Sequence, residues 1–167
     1  EWRGWERGIS HIDMVSPRIK TLNGTQLAWS PSTKGKSVVA EVIPLGDFKD
    51  SLDFKAWLPS VKGKYVMISM PQPTGRPDHN WEKYGKASSI EKMNKDRDAK
   101  SAAWNSRIRA TGMSANSIPS VLEDAGAVGI LTSNWSKEFG ANKIFGARSH
   151  KVPTLDISLE DYGVLYR

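Results

Sequence analysis

The sequence contains no cysteine, which excludes thiolate nucleophiles, thiolate metal sites and disulfides together. No apolar run approaches the ~20 residues of a bilayer-spanning helix, so no membrane span is expected. Histidine is scarce as well. His11, His79 and His150 are the three, and none sits in a His-Glu-x-x-His motif. His11 and Asp13 alternate as they would on one face of a strand, but zinc takes three or four ligands and no further cluster accompanies them. No leader with a basic start and an apolar centre is visible, and the first residue is Glu1. The expectation is a mature chain or an excised fragment.

Complete catalytic motifs are missing too. Gly112-Met113-Ser114-Ala115-Asn116 lacks the final glycine and the preceding strand of a nucleophile elbow. Ser89-Ile90-Glu91-Lys92 matches Ser-x-x-Lys without its companion motifs. Gly35-Lys36-Ser37 resembles the end of a phosphate loop, yet Ser30 stands where the first glycine belongs. A self-contained small enzyme is therefore the weakest of the function classes.

What is present suits one globular domain. The chain has 167 residues, 38% of them apolar and 25% charged, enough to build a real core. It is organised around Val121 to Ser133. Val121, Leu122 and Ala125 share a helix face, Gly126 suits a helix stop with positive φ, and Ala127 to Thr132 is an apolar run fit for a central buried strand. Upstream, Gln26–Ser30 and Ser37–Leu45 are expected as a strand pair around a turn at 31–36, with β-branched Val38, Val39, Val42 and Ile43 on a half-buried pleat. A short helix is expected over Leu52–Leu58, a strand over Lys64–Met70, and helix over most of Trp81–Ala110. Ser117 or Ser120 is the expected cap of the helix before the central strand. Asn134 to Lys143 reads as a polar loop. Pro153 places the last strand, within Lys151–Ser158, at an edge or makes Pro153 its start, and Leu159–Tyr166 closes as an amphipathic helix.

The formal charge of +6 is unevenly spread. Between Lys83 and Arg109 there are eight basic and three acidic residues, a local surplus of +5. The apolar seam of that helix runs through Ile90, Met93, Trp104 and Ile108, but Arg97 and Ser101 occupy its middle. This pattern predicts either a broken helix or an arm whose centre stands away from the body, with Lys92, Lys95 and Lys100 able to meet an acidic partner. Seven tryptophans are many for this length. Trp29 and Trp57 are expected in the core, whereas Trp2, Trp5, Trp81 and Trp135 lie among polar residues, and such rings can anchor an interface or stack on sugars.

The order of segments carries a resemblance. Val61-Lys62-Gly63-Lys64 opens an apolar strand, Leu122-Glu123-Asp124-Ala125-Gly126-Ala127-Val128-Gly129-Ile130-Leu131 is helix then strand, and Val152-Pro153-Thr154-Leu155-Asp156-Ile157-Ser158 precedes a small helix. Together these resemble a protease-associated domain. Leu159-Glu160-Asp161-Tyr162-Gly163 is similar to the version in bacterial secreted zinc exopeptidases of the aminopeptidase and glutamate carboxypeptidase type. The resemblance covers most of Gln26 to Arg167. It implies an α+β fold, an open β-barrel or sandwich with flanking helices. Residues 1–25 would connect to the parent enzyme and residues 26–167 would form the domain, with a helical insertion at about 76–116. That insertion is longer than such domains usually carry. The resemblance further implies a secreted or periplasmic parent peptidase whose zinc lies in its own catalytic domain. This chain would then hold no catalytic, cofactor or metal residue. Its role would be to shield the active site, admit substrate or make protein contacts. The expected partners are that catalytic domain and a peptide substrate, not nucleic acid. The candidate contact residues are Trp2, Trp5, Lys92, Lys95, Lys100 and Trp135. The alternative is a free-standing binding module for carbohydrate or polyanions.

Overall fold

In the computed structural model, which describes residues 4–134 and 146–167, four short strands run parallel and a fifth antiparallel in one sheet. The elements in chain order are β1 (Asp13–Met14), β2 (Lys20–Thr21), β3 (Gly24–Gln26), β4 (Val42–Pro44), α1 (Ser51–Trp57), a 3-10 turn (Leu58–Val61) and β5 (Tyr65–Met67). Then follow α2 (Asp78–Tyr84), α3 (Ala87–Ala110), α4 (Ile118–Asp124), β6 (Gly129–Thr132), β7 (Thr154–Ile157) and α5 (Leu159–Tyr166). The large sheet has the order β3-β7-β6-β5-β4, and β1 pairs with β2 in a separate antiparallel hairpin.

β6 is the middle strand, and all four of its residues are buried. The helix before it ends in a Schellman arrangement. The Ala127 amide reaches the Leu122 carbonyl at 3.0 Å, the Gly126 amide reaches Glu123 at 3.1 Å, and Gly126 takes φ 96°. The expected glycine stop and central strand are both present. Ile43, Val66, Ile130 and Thr154 stand in register across the sheet, as do Pro44, Met67, Leu131 and Leu155. Successive strand residues point to opposite faces. Val66 and Ile130 thus join a core with Leu45, Phe48, Phe54, Val61, Ile118 and Leu122 under α1 and α4. Met67, Leu131 and Ile157 join Tyr162 of α5 on the other face, where β1 packs through Ile12.

Three expectations need correction. The strand pair does not exist: β3 and β4 lie at opposite edges of the sheet, because β7, β6 and β5 intervene. The first of those strands ends at Gln26, where a turn begins, and the second is cut to Val42–Pro44 because β4 pairs on one side only. The architecture is a mixed α/β open sheet with a hairpin, and no closed barrel occurs among the described residues. Parallel strands require crossover segments on a face, and α1 and α4 occupy the face that a second sheet would need. Thirdly, Ser117 stands at the N-cap of α4 without a side-chain capping bond, its hydroxyl pairing with that of Ser114 at 2.8 Å. Pro153 precedes β7, an interior strand, so it marks a strand start and not an edge.

Buried polar groups tie the ends together. The Glu123 carboxylate accepts from the amides of His150 and Lys151, each at 2.8 Å. Asp156 accepts from Thr132 Oγ1 at 3.1 Å and Asn134 Nδ2 at 2.9 Å. The Tyr162 hydroxyl donates to the Ser69 carbonyl and accepts from the Ser69 amide, both at 2.9 Å. Asp161 receives Lys20 Nζ and the Asn23 amide, the latter at 2.7 Å. Burial raises the Asp161 carboxyl, but these hydrogen bonds and the lysine charge outweigh it, and the group titrates below the ordinary carboxylate range.

Ile130→Asp is expected to prevent cooperative folding, since an unpaired charge on β6 costs several kcal/mol; a normal two-state melt would remove β6 from the centre. Asp161→Asn is expected to cost on the order of 1–2 kcal/mol at neutral pH. Because the folded pKa is depressed, the stabilisation is complete above the unfolded value of about 3.9 and is lost as pH falls through the folded value. Urea titrations of both proteins should therefore converge in acid. A difference that persists in acid below the folded value would show that Asp161 acts through packing and not charge.

Candidate functional site

The second face of the sheet is incompletely covered. Between the β1–β2 hairpin, the segment 38–42 and the end of α5 lies a cleft of about 1010 Å³. This is at the top of the range for small-ligand pockets, about 300–1,000 Å³. Its floor is Tyr65, Leu131, Leu155 and Ile157, and Val38, Val39 and Leu165 lie along its sides. Val42 and Ile43 are half-buried in β4 as expected, whereas Val38 and Val39 (74% exposed) form an open wall. His11 and Asp13 meet at the rim with Nε2 and Oδ2 2.9 Å apart, sharing a face as their spacing predicts. Burial pushes the Tyr65 phenol up, and its hydroxyl donates to the Val38 carbonyl at 3.3 Å. The floor is apolar, and among the described residues that line it no nucleophile–base pair is formed. Its chemistry is that of binding. Among the described residues no three His, Asp or Glu side chains form a metal-ligand group. No local pattern signals this cleft, because its walls come from three separated segments.

The basic stretch is two helices. α2 ends at Gly85, where a Cβ would lie 2.6 Å from the Trp81 carbonyl, and α3 then runs unbroken for 24 residues. Lys92, Lys95 and Lys100 are all exposed, with Lys95 (75% exposed side chain) paired to Glu91 at 2.7 Å. Arg97 is half-buried, reaching Asn94 at 3.0 Å and Asp78 of α2 at 3.4 Å. The far end is anchored. Trp104, Ile108 and Ala110 pack on the first core, and Arg107 lies 4.8 Å over the Trp104 ring while donating to the Leu45 carbonyl at 3.0 Å. α3 is thus rooted on the first core at its C-terminal third and buries Met93 nearer its start, with the three lysines on its exposed face.

The tryptophans divide differently from expectation. Trp57 borders the first core, with its ring 5.3 Å from Phe48. Trp29 is not core: it is 54% exposed and has φ 60°, a left-handed conformation that no sequence pattern signals. Trp5 is half-buried, 6.3 Å from Trp29, with the Arg7 guanidinium 5.2 Å over its ring. Arg76 covers Trp81 at 5.3 Å. Of the candidate contact residues, Trp5 joins Trp29 at one place and the three lysines lie together on α3. Trp2 and Trp135, like the loop read over Asn134 to Lys143 except for Asn134 itself, lie outside the described residues.

No known family profile matches the chain, and a search of curated proteins finds no match. Among solved structures, the fold is similar to the crystal structure of a peptidase M28 precursor from Shewanella amazonensis SB2B, with a TM-score of 0.52 and 18% sequence identity. The likeness takes in 97% of this chain and 31% of that one, so the chain spans about a third of that protein's length. At this identity the likeness is one of fold: a mixed α/β domain that also occurs as one portion of a larger chain.

Replacing Lys92, Lys95 and Lys100 together with serine is expected to shift the thermal midpoint by no more than a degree or two, because exposed charge pairs contribute about 0–1 kcal/mol each. A collapse of the midpoint would make α3 a structural helix along its whole length.

Proposed function

We propose that this chain is a non-catalytic, protease-associated domain of a secreted zinc-dependent exopeptidase, and that it works by contacting the catalytic portion of its parent. The observation that carries the reading is the fold likeness, which takes in nearly all of this chain and under a third of a peptidase M28 precursor. The ordered segments from Val61 to Gly163 support the same reading from the sequence. The separate pockets of chemistry on the surface fit it too. An apolar cleft, an exposed indole and a basic arm are all equipment for contact, not for bond breaking.

In this reading zinc belongs to the parent's catalytic portion. His11, His79 and His150 come from the start of the hairpin, from α2 and from the segment before β7, and each has its own local partner or none in common with the others. Shielding of the active site and admission of peptide substrate are the roles assigned to the domain. The basic arm supplies long-range attraction to an acidic face of the parent. No helix among the described residues is long and apolar enough to cross a membrane, which is compatible with export of the parent.

The test has two arms. The pure chain, assayed with added zinc on aminoacyl and short peptide substrates, is expected to show no turnover. In the parent enzyme, the triple lysine variant should raise KM for acidic substrates or weaken domain contact at low salt, and the difference should vanish at high salt. Zinc-dependent cleavage by the chain alone would sink the proposal.

A further inference from the structure

We propose that the cleft on the second face of the sheet binds an aliphatic carboxylate of the fatty-acid type, its chain lying on the sheet and its head group meeting Arg18 and Arg167. The inference does not depend on the accessory-domain reading above. It rests on what lines the cleft and on what the polar groups there have left to bind.

The floor residues Tyr65, Leu131, Leu155 and Ile157 belong to β5, β6 and β7, and each of these strands has a neighbour on both sides. Their backbone N–H and C=O groups are used within the sheet. The Tyr65 hydroxyl is the one polar side-chain group of the floor, and it is committed to the Val38 carbonyl at 3.3 Å. A molecule lying on this floor gains apolar contact and finds no hydrogen-bond partner. An extended peptide would bring amides that lose water without replacement, which is unfavourable. A methylene chain brings none.

The rim differs. Asp13 and Glu41 are the acidic residues that line the cleft, and both are engaged. Asp13 meets His11 Nε2 at 2.9 Å and accepts from the Thr21 hydroxyl at 2.8 Å, and Glu41 pairs with Lys64 Nζ at 2.9 Å. Arg18 and Arg167 also line the cleft and are exposed, and among the described residues neither forms an ion pair or a side-chain hydrogen bond. Arg18 lies in the turn between β1 and β2, and Arg167 follows α5, so two of the three walls each carry a cation. Guanidinium groups pair with carboxylate through two parallel hydrogen bonds. An apolar body with one anionic end therefore uses both halves of the site. A hydrocarbon leaves the arginines unused, and a cation is repelled by them.

The test is calorimetric titration of this chain with octanoate, decanoate and dodecanoate below their micelle concentrations. Each added pair of methylenes should tighten binding about tenfold, because each buried methylene contributes transfer energy. Decanol, which lacks the charge, should bind about tenfold more weakly than decanoate. The Arg18→Gln/Arg167→Gln double variant should lose a similar factor for decanoate and none for decanol. Val39→Asp puts a like charge on the open wall at a residue mostly in water, so decanoate binding should vanish at an unchanged thermal midpoint, and Val39→Leu should retain it. Should Val39→Asp unfold the chain, the arginine variant decides. Absence of binding, equal affinity for decanol and decanoate, or an unchanged affinity in the arginine variant overturns the inference. Tighter binding of an acetylated Leu-Val-Leu peptide also overturns it and makes the cleft a peptide groove.

Discussion

The fold depends on the requirement that a parallel sheet be covered on both faces. β6 has no residue that faces water, and its neighbours β5 and β7 run parallel to it, so each side of the sheet must find apolar partners. One side finds them in α1, α4 and the root of α3, where Phe48 packs edge to face on Phe54 and Trp57. Among the described residues the other side has the short α5 and a hairpin of two-residue strands, and the cleft is the part they leave uncovered. The difference between the faces is thus a difference in how much helix the chain devotes to each. The side that lacks cover is the side where apolar surface is available to something else.

Much of this was legible in the sequence wherever the signal was local. Gly126, the run from Ala127 to Thr132 and the amphipathic close at Leu159–Tyr166 each depend on the pattern within one element; the glycine stop and the closing helix appear as expected, and the strand occupies the later part of its run, Gly129–Thr132. The helical stretch was legible down to its weakness: the polar middle of its seam corresponds to Arg97 and Ser101, half-exposed between two better-packed ends. Partnership between elements was not legible. Gln26 and Ile43 lie in segments that look like two arms of a hairpin, yet three strands come between them, because strand order is decided by packing far along the chain. Trp29 was misread for a related reason. Apolar neighbours argue for burial, but the left-handed turn that reverses it is imposed by Thr154, a residue more than a hundred positions away.

Charge and apolar surface are kept apart on this molecule. The lysines of α3 are carried on the exposed part of a helix whose root is held by Trp104 and Ile108. The exposed indole and the open cleft belong to the turn before β7 and to the hairpin side of the sheet. Long-range attraction acts over about a Debye length and fades with salt, whereas apolar contact acts only at touching distance. The two kinds of surface therefore act over different ranges, the charged one at a distance and the apolar one on contact.

α5 is attached by two fastenings of unlike chemistry. At Asp161 the link is a carboxylate that holds Lys20 and Asn23 only while ionised. At Tyr162 it is a phenol enclosed against Ser69, whose ionisation burial pushes far above the ordinary range, so that acid leaves it untouched. Acidification therefore weakens the contact of the helix with Lys20, while its contact with the end of β5 and the bond from the Ser158 amide to the Asn23 carbonyl at 2.8 Å do not depend on charge. One short helix bordering the cleft through Leu165 is thus held by one contact that answers to acid and another that does not.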